Sequence, residues 1–326
     1  MGTRGLRSIR SFALLWALAM APHAWCQAYP SKPILISVGL QGGTGSDVAV
    51  RTVAERMVPL LGQQIVIENL PGAAGVVAAA KVAKAAPDGY SLVALSMATL
   101  TIGPHLEPKP PYDAQKDFAP IAFVAAFPSV LFINPTVPAK TAREFIALAK
   151  RKPGMLTYAS GGNGSVQHLA TELFKSMAGL DLVHVPYKGS IQATLDVAGG
   201  RVDAGFQGIP TVLQFVQSGK LRLLAWSGDR RYALYPDLPT IQESGVPGFS
   251  YEPWTALFGP AALPKEIVAR LSAEARAVTN QPELRKRWSS IGVEPKDMTS
   301  DQLATLIRDE SASNAKIIAA KGIRGE

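Results

Sequence analysis

The chain has 326 residues, of which 47% are hydrophobic and 18% charged, and its formal net charge is +8. This length and apolar content suffice for one large core or two medium ones, and two domains are expected. The only cysteine, Cys26, excludes an internal disulfide, and because it lies in a segment that we expect to be removed, thiol catalysis and cysteine metal ligation are excluded as well.

The first 28 residues have the order of a secretory signal peptide. Three arginines and no acidic residue precede an apolar run over 12–21, which is too short for the roughly 20 residues of a membrane-spanning helix. We expect cleavage after Ala28 or, as the alternative, after Cys26. Lipidation of Cys26 is disfavoured because the bulky Trp25 precedes it.

Removal of this segment leaves 30 basic residues against 25 acidic ones, a net charge near +5. Such a mild excess can steer an anion toward the protein. The basic run over 285–287 has no interleaved aromatic residues, so it indicates a solvated helix face and no nucleic-acid partner.

From Tyr29 onward, strand patterns alternate with helix patterns, which predicts α/β domains with mainly parallel sheets. The first set has predicted strands over 34–38, 65–68 and 90–96, with helices over 48–61 and 75–86. The second set has predicted helices over 141–150 and 165–178 and predicted strands over 130–133, 156–158, 182–185, 204–206 and 221–226.

From Pro264 the chain reads as helices almost to its end, and these helices lack a sheet of their own. We expect them to fold back onto the first sheet, so that 29–126 with 250–326 form domain 1 and 127–249 form domain 2. The segments 121–133 and 250–258 would then cross between the domains. Two crossings form a hinge.

A strand, a glycine-rich turn and a helix occur twice, once in each expected domain. The first turn covers Gln41–Asp47 (QGGTGSD) and the second covers Ser160–Ser165 (SGGNGS). Such a turn leaves backbone N–H groups at the positive end of a helix dipole, which is suited to binding an anion. The alternative is that each glycine turn serves only as a tight connection.

Other chemistry has little support in the sequence. Val48 and Gln167 stand where the dinucleotide fingerprint needs a third glycine, so nucleotide binding is disfavoured. Ser165 and His168 lie one helical turn apart, yet no orienting acid accompanies them, so a Ser–His dyad is disfavoured. The histidines that follow the signal segment lack metal-ligand spacing.

Several residues have two open interpretations. Asp47 contacts a ligand or, as favoured, caps helical N–H groups. The turn over 187–190 reaches the cleft through Ser190 or only caps its helix. Trp254 lines the cleft or anchors the hinge core. His184 is expected to be a hydrogen-bonded or exposed strand residue.

Ordered motifs run through the whole chain after residue 28. They are YPSKPI, ENLPGAAG, KAAPDGY, VPAKT, LTYASGGNGSVQHLATELFKSMAG, VHVPYKGS and LPTIQESGVPGF. In these motifs the sequence resembles the extracytoplasmic solute receptors of tripartite tricarboxylate transporters, also called Bug or TctC-type receptors.

The resemblance implies a type II periplasmic-binding-protein fold, a venus flytrap of two α/β domains joined by two crossing strands. It implies a periplasmic receptor that carries no cofactor and is not an enzyme. The expected ligand is a small organic carboxylate, a di-, tri- or aromatic acid, and the expected partners are the membrane subunits of the transporter. We expect the receptor to be a monomer. An orphan sensor of the same fold and a Ser165–His168 hydrolase are the alternatives.

The resemblance also implies which residues bind the ligand. The two glycine-rich turns hold its carboxylate, partly through water, and the segment 206–211 contacts the rest of the ligand. These residues are Gln41, Gly42, Gly43, Thr44, Gly45, Ser46, Asp47, Ser160, Gly161, Gly162, Asn163, Gly164, Ser165, His168, Gln207 and Gly208.

Two departures from the family pattern concern the ligand. Gln41 and Gly42 replace two prolines in the first turn, which allows a less rigid turn. Gln207 and Gly208 replace the common Asp-Asn pair, which disfavours a cationic ligand group and leaves room for a bulkier or second acidic end. With three or four charge-assisted hydrogen bonds, we expect an affinity in the micromolar range, about −8 kcal/mol.

Overall fold

A computed structural model describes residues 29–72 and 75–325, so the predicted signal peptide lies outside the described residues. The described strands, in chain order, are β1 Ile34–Val38, β2 Ile65–Asn69, β3 Ser91–Ser96, β4 Phe118–Ala126, β5 Ser129–Ile133, β6 Thr157–Ser160, β7 Val183–Pro186, β8 Ala204–Gly208, β9 Arg222–Trp226 and β10 Trp254–Pro260. They form two five-stranded sheets, with the orders β2-β1-β3-β10-β4 and β7-β6-β8-β5-β9.

Each sheet contains two parallel and two antiparallel strand pairs, so the prediction of mainly parallel sheets is wrong. In the first, β1 runs parallel to β2 and β3, and β10 runs antiparallel to β3 and β4. In the second, β6 runs parallel to β7 and β8, and β5 runs antiparallel to β8 and β9. The parallel strands therefore lie together at one side of each sheet, where strand-to-helix turns collect at a single edge.

Helices cover the sheets. In chain order they are α1 Gly45–Leu61, α2 Val76–Ala83, α3 Ala142–Arg151, α4 Val166–Ala178, α5 Ser190–Ala198, α6 Ile209–Gln217, α7 Lys265–Thr279, α8 Pro282–Ser289 and α9 Ser300–Lys321. A π-helical turn, Ala98–Ile102, and a 3-10 turn, Gly103–His105, follow β3. We call the first sheet with α1, α2 and α7–α9 the first lobe, and the second sheet with α3–α6 the second lobe.

Hydroxyl caps fix several helix starts. The side chains of Thr44, Thr141, Ser165 and Thr299 each accept an N–H bond in the first turn of α1, α3, α4 and α9, and Thr299 forms a capping box with Gln302. The sequence predicts Thr141 and Ser165 near these positions. The first helix begins at Gly45, earlier than predicted, because Thr44 caps it. The second, α2, ends at Ala83, earlier than predicted.

The predicted crossing segments are mostly strands. Phe118–Ala126 and Trp254–Pro260 lie side by side in the first sheet, because both are almost completely buried apolar runs that pair antiparallel. The chain passes between the sheets around Phe127, whose N–H donates to the carbonyl of Pro253 at 2.7 Å. As predicted, the C-terminal helices return to the first sheet, where α7 and α9 pack on β4.

Candidate ligand-binding site

Three helices of the second lobe begin at the same edge of its sheet. The strands β7, β6 and β8 end there, and α5, α4 and α6 follow them. A Cβ atom added to Gly161 would lie 3.2 Å from the backbone nitrogen of Ser190, so the second turn and the turn over 187–190 are neighbours. This edge therefore collects the positive ends of three helix dipoles.

The second turn is held by its own side chains. Ser160 Oγ donates to the carbonyl of Gly162 at 3.1 Å and accepts from its N–H at 3.2 Å, and the N–H of Gly164 donates to Nδ1 of His168 at 3.2 Å. Both glycines have positive φ, 118° and 72°. Two N–H groups of the predicted anion site are thus bonded within the protein.

Ser165 and His168 meet through the backbone. The Ser165 hydroxyl accepts the N–H of His168 at 3.3 Å, while the imidazole turns to Gly164. A serine activated as a nucleophile needs a bond from its hydroxyl to the ring. This geometry is that of a helix cap.

A stack of three rings lies behind the second turn. His168 and His184 stack with centroids 3.9 Å apart, and Tyr158 stacks on His184 at 4.7 Å. Nε2 of His184 lies 2.7 Å from Ser160 Oγ, so both imidazoles contact the turn. Burial lowers the pKa of both histidines, and that of His184, next to His168, to about 4. Of the two open interpretations of His184, the hydrogen-bonded one is confirmed.

The first turn contains a buried carboxylate. Asp47 is 2% exposed and accepts bonds from the N–H of Gly43 at 2.9 Å, from Asn69 at 2.8 Å and from Arg51 at 3.1 Å. Burial opposes ionisation, yet the bonds from Asn69, Gly43 and Arg51 outweigh it and hold the pKa of Asp47 below its usual value. Among the described residues, the only backbone N–H bonded to the Asp47 carboxylate is that of Gly43, which precedes α1, and the cap of the helix is Thr44.

The other residues of the first turn lie at the surface or against β10. Gly42 to Gly45 are exposed, and Ser46 Oγ accepts a 2.9 Å bond from the hydroxyl of Thr255 in β10. The turn follows β1, where Gly39 packs tightly on Gly75, since a Cβ atom on Gly39 would lie 2.8 Å from Gly75 Cα. The segment that joins β1 to the first turn thus adjoins the start of α2.

A cavity of about 560 Å³ separates the two lobes next to the second turn. Its wall from the second lobe is Gly161, Asn163, Gly164 and Ser165. Its wall from the first lobe is Val76, Ala98, Gly103, Leu106, Glu107, Pro108, Lys109, Pro110, Pro111 and Gly325. The start of α2 therefore faces the start of α4 across the cavity, and the first turn lies outside this lining.

Gln207 and Gly208 end β8 beside the crossing between lobes. They pair with Val130 and Ser129 at the start of β5, and Gly208 precedes α6. The side-chain oxygen of Gln207 accepts the N–H of Gly208 at 3.0 Å, so this amide folds back onto its own backbone. Trp254 is 2% exposed and donates to Glu310 at 2.7 Å, which makes it part of the core at the hinge.

Two negative findings apply to residues 29–72 and 75–325. No group of three or more acidic, histidine or cysteine side chains is placed to bind a metal ion. No helix in that part of the chain combines the length and the apolar character that crossing a membrane requires.

Comparison with known proteins places these features in a family. The profile of the tripartite tricarboxylate transporter family receptor matches residues 49–323. Protein BugT of Bordetella pertussis is 34% identical over 297 residues, which cover 91% of this chain and 91% of BugT. A solved periplasmic transporter superposes with a TM-score of 0.76 at 35% identity and covers 91% of this chain and 99% of its own.

Two further solved structures contain ligands. An R. palustris protein solved with adipate superposes with a TM-score of 0.76 at 31% identity, over 91% of this chain and 99% of its own. MatC from Rhodopseudomonas palustris, solved with bound malate, superposes with a TM-score of 0.72 at 31% identity. The match covers 89% of this chain and 100% of MatC. The predicted fold class, a two-lobed α/β protein of the periplasmic-binding type, is confirmed.

Proposed function

Because the chain belongs to the tripartite tricarboxylate transporter receptor family, we propose that it captures a small organic carboxylate and delivers it to the membrane subunits of such a transporter. The family is a class of solute receptors and not a class of enzymes. Adipate and malate in two relatives support a dicarboxylate as ligand. The periplasm is the proposed location, and a monomer the proposed form.

The observation that carries the proposal is the cavity between the starts of α2 and α4. Gly75, which precedes α2, has no side chain with which to cap that helix. Two helix N-termini from different lobes therefore direct their positive ends toward one space, whose wall also contains one acidic and one basic side chain, Glu107 and Lys109. A carboxylate between them interacts favourably with both lobes.

The remaining wall of the cavity suits the body of an organic acid. Leu106 and three prolines of the 107–111 segment provide apolar surface next to the polar second turn. A dicarboxylate with a short hydrocarbon chain has both kinds of surface. We propose that the second turn, Ser160–Ser165 with His168, holds one carboxylate and that Gln207 and Gly208 read the far end. We also propose that Gln41–Asp47, which lies outside the lining of this cavity, contributes from the first lobe.

We also propose that 29–126 with 250–326 and 127–249 are the two moving domains. A ligand that bonds to both lobes favours the closed form by its difference in affinity for the two forms. The two chain segments that pass between the lobes are hydrogen-bonded to each other, from the N–H of Phe127 to the carbonyl of Pro253, as is expected of hinge segments.

The test adds a negative charge to the cavity without weakening the helix. Val76→Asp places a carboxylate at the first position of α2, where an acidic residue interacts favourably with the helix dipole. Val77→Asp adds the same charge in the same helical turn, at a half-exposed side chain that does not line this cavity. Calorimetry with adipate and malate compares both variants with the unchanged protein.

We expect Val76→Asp to reduce affinity at least about tenfold and Val77→Asp to change it little. Equal affinities of the two variants for these acids would show that the ligand does not bind in this cavity. No binding of adipate, malate or an aromatic acid by the unchanged protein would contradict the proposed ligand class. Delivery is tested separately, by uptake of the bound acid in cells with and without the receptor gene.

A further inference from the structure

We propose that His168 and His184 position the second turn for ligand binding only while both imidazoles are uncharged, so that acidification releases the ligand. The proposal rests on the proposed function, because the second turn is the part of the site that it regulates. It concerns a histidine pair whose second member, His184, lies outside the predicted ligand-binding residues.

The first step is the contact between each ring and the turn. Nδ1 of His168 accepts the N–H of Gly164, so this nitrogen carries no proton in the structure and the ring proton sits on Nε2. His184 bonds to Ser160 Oγ, and Ser160 holds both the N–H and the carbonyl of Gly162. The two rings thus fix the two glycines of the turn that have positive φ.

The second step is the distance between the rings. Their planes are 19° apart and their centroids 3.9 Å apart, in a site where both residues are largely buried. Two imidazolium ions at this distance repel each other strongly in a medium of low dielectric constant. The stack is therefore compatible with neutral rings.

The third step is the charge of the surroundings. Glu172 and Lys175 of α4, Lys321 of α9 and Arg324 of the C-terminal tail line a cavity of about 470 Å³ with both histidines. Glu172 is the one acid in this lining, and it already bonds to Tyr158 at 2.7 Å and pairs with both lysines. The charge of Glu172 favours charged rings more than that of Lys175 opposes them, but burial outweighs both and lowers the pKa of each histidine.

Protonation of His168 has a direct consequence for the turn. Nδ1 becomes a donor, so it can no longer accept the N–H of Gly164, and two N–H groups then face each other. The turn must change its conformation, and the ligand loses a positioned partner. Since burial lowers the pKa of His168, this transition falls below the usual titration range of a histidine.

The experiment has a ligand-free part and a ligand-bound part. In the ligand-free protein, NMR follows the amide shifts of Gly162 and Gly164 and the ring shifts of the histidines from pH 7.5 to 4.5. We expect both amides to titrate together with His168. If the Gly164 amide does not follow the titration of His168, the proposal is overturned whatever the protein binds.

The ligand-bound part uses adipate at pH 7.5 and 4.5. His168→Asn keeps an acceptor at the position of Nδ1 and cannot take up a proton, whereas His168→Phe keeps a ring without an acceptor. We expect the loss of adipate affinity on acidification to be about fivefold larger in the unchanged protein than in His168→Asn, since linkage to the protonation of His168 acts only in the former. Protonation of adipate itself is common to both proteins and cancels.

Two further results complete the test. His168→Phe is expected to bind adipate about tenfold more weakly at pH 7.5, because the Gly164 N–H loses its acceptor. His105→Gln, which alters a histidine bonded to Ser311 outside the pair, is expected to keep the pH dependence of the unchanged protein.

Equal pH dependence in the unchanged protein and His168→Asn overturns the proposal. Absence of adipate binding at pH 7.5 contradicts the proposed function. In that case the NMR titration alone tests whether the histidine pair controls the conformation of the second turn.

Discussion

Lys321 Nζ lies 3.6 Å from Oε2 of Glu172, and this ion pair joins the end of α9 in the first lobe to α4 in the second. Glu172 is also bonded to Tyr158 and Lys175 of its own lobe. The Glu172–Lys321 pair is therefore a charge interaction that must break when the lobes separate.

Loss of this pair should favour separated lobes. We expect Lys321→Met to increase the radius of gyration of the ligand-free protein in X-ray scattering and to weaken adipate binding by at most about fivefold, because a partly exposed ion pair contributes little. Lys316→Met, at an exposed position of the same helix, is the matched control. Identical scattering of both variants would show that the pair does not influence the opening.

A side chain at position 208 should limit the size of the ligand. Gly208 has φ of −64° and precedes α6, where asparagine is a favourable cap, so Gly208→Asn should fold with normal stability. If this residue contacts the far end of the ligand, adipate affinity falls about tenfold and that of the shorter malate falls less. Calorimetry with both acids gives the ratio, and an unchanged ratio would remove Gly208 from the site.

The partly buried carboxyl of Glu310 should make stability depend on pH. Burial raises its pKa to about 7, although the bond from Trp254 opposes this. A raised folded-state pKa stabilises the protein at low pH, and this contribution is lost as the pH rises from about 4.5 through 7. Glu310→Gln keeps an acceptor for Trp254 and avoids the charge.

We therefore expect Glu310→Gln to melt at the same temperature as the unchanged protein at pH 4.5 and at a higher temperature at pH 8. The advantage should grow between these values and stay constant above pH 7. Thermal unfolding over a pH series measures it. An equal melting temperature at pH 8 would show that Glu310 is ionised without cost.

Asp47 should act in the opposite direction. Its pKa is held below the usual value, so its contribution to stability is present above about pH 4 and disappears as the pH falls through the folded-state pKa. Asp47→Asn is expected to cost about 1–3 kcal/mol at pH 7, because the bonds from Gly43, Asn69 and Arg51 lose their charged acceptor. Urea unfolding at pH 7 and pH 3 measures the difference, which should shrink at pH 3.

The sequence predicts most of the parallel strands and their helices, because each carries a local signal. The hydroxyl cap at Thr141 and the apolar spacing of α4 are local features of this kind. The pairing of β10 between β3 and β4 has no local signal, since nothing in Trp254–Pro260 specifies its neighbours. The sequence therefore predicts 250–258 only as a crossing segment.

The same difference between local and long-range features applies to the site. Both glycine-rich turns are predicted, as is a helix from Ser165, but the ring stack depends on the register of β6 and β7, which sets Tyr158 beside His184. Alternation within β7 predicts only that His184 and its neighbours face opposite sides. The wall contributed by 103–111 likewise requires the packing of the lobes, which no motif in that segment reveals.

The position of β10 has a consequence for how the chain acquires its structure. The second sheet is built from one continuous stretch, whereas the first stays incomplete until β10 has been inserted between β3 and β4, after the entire second sheet has been made. Contacts so distant along the chain form slowly, because the intervening segment must first be closed into a loop. During synthesis the second lobe can therefore mature early, while the exposed apolar edges of β3 and β4 remain available to chaperones until the last quarter of the chain arrives.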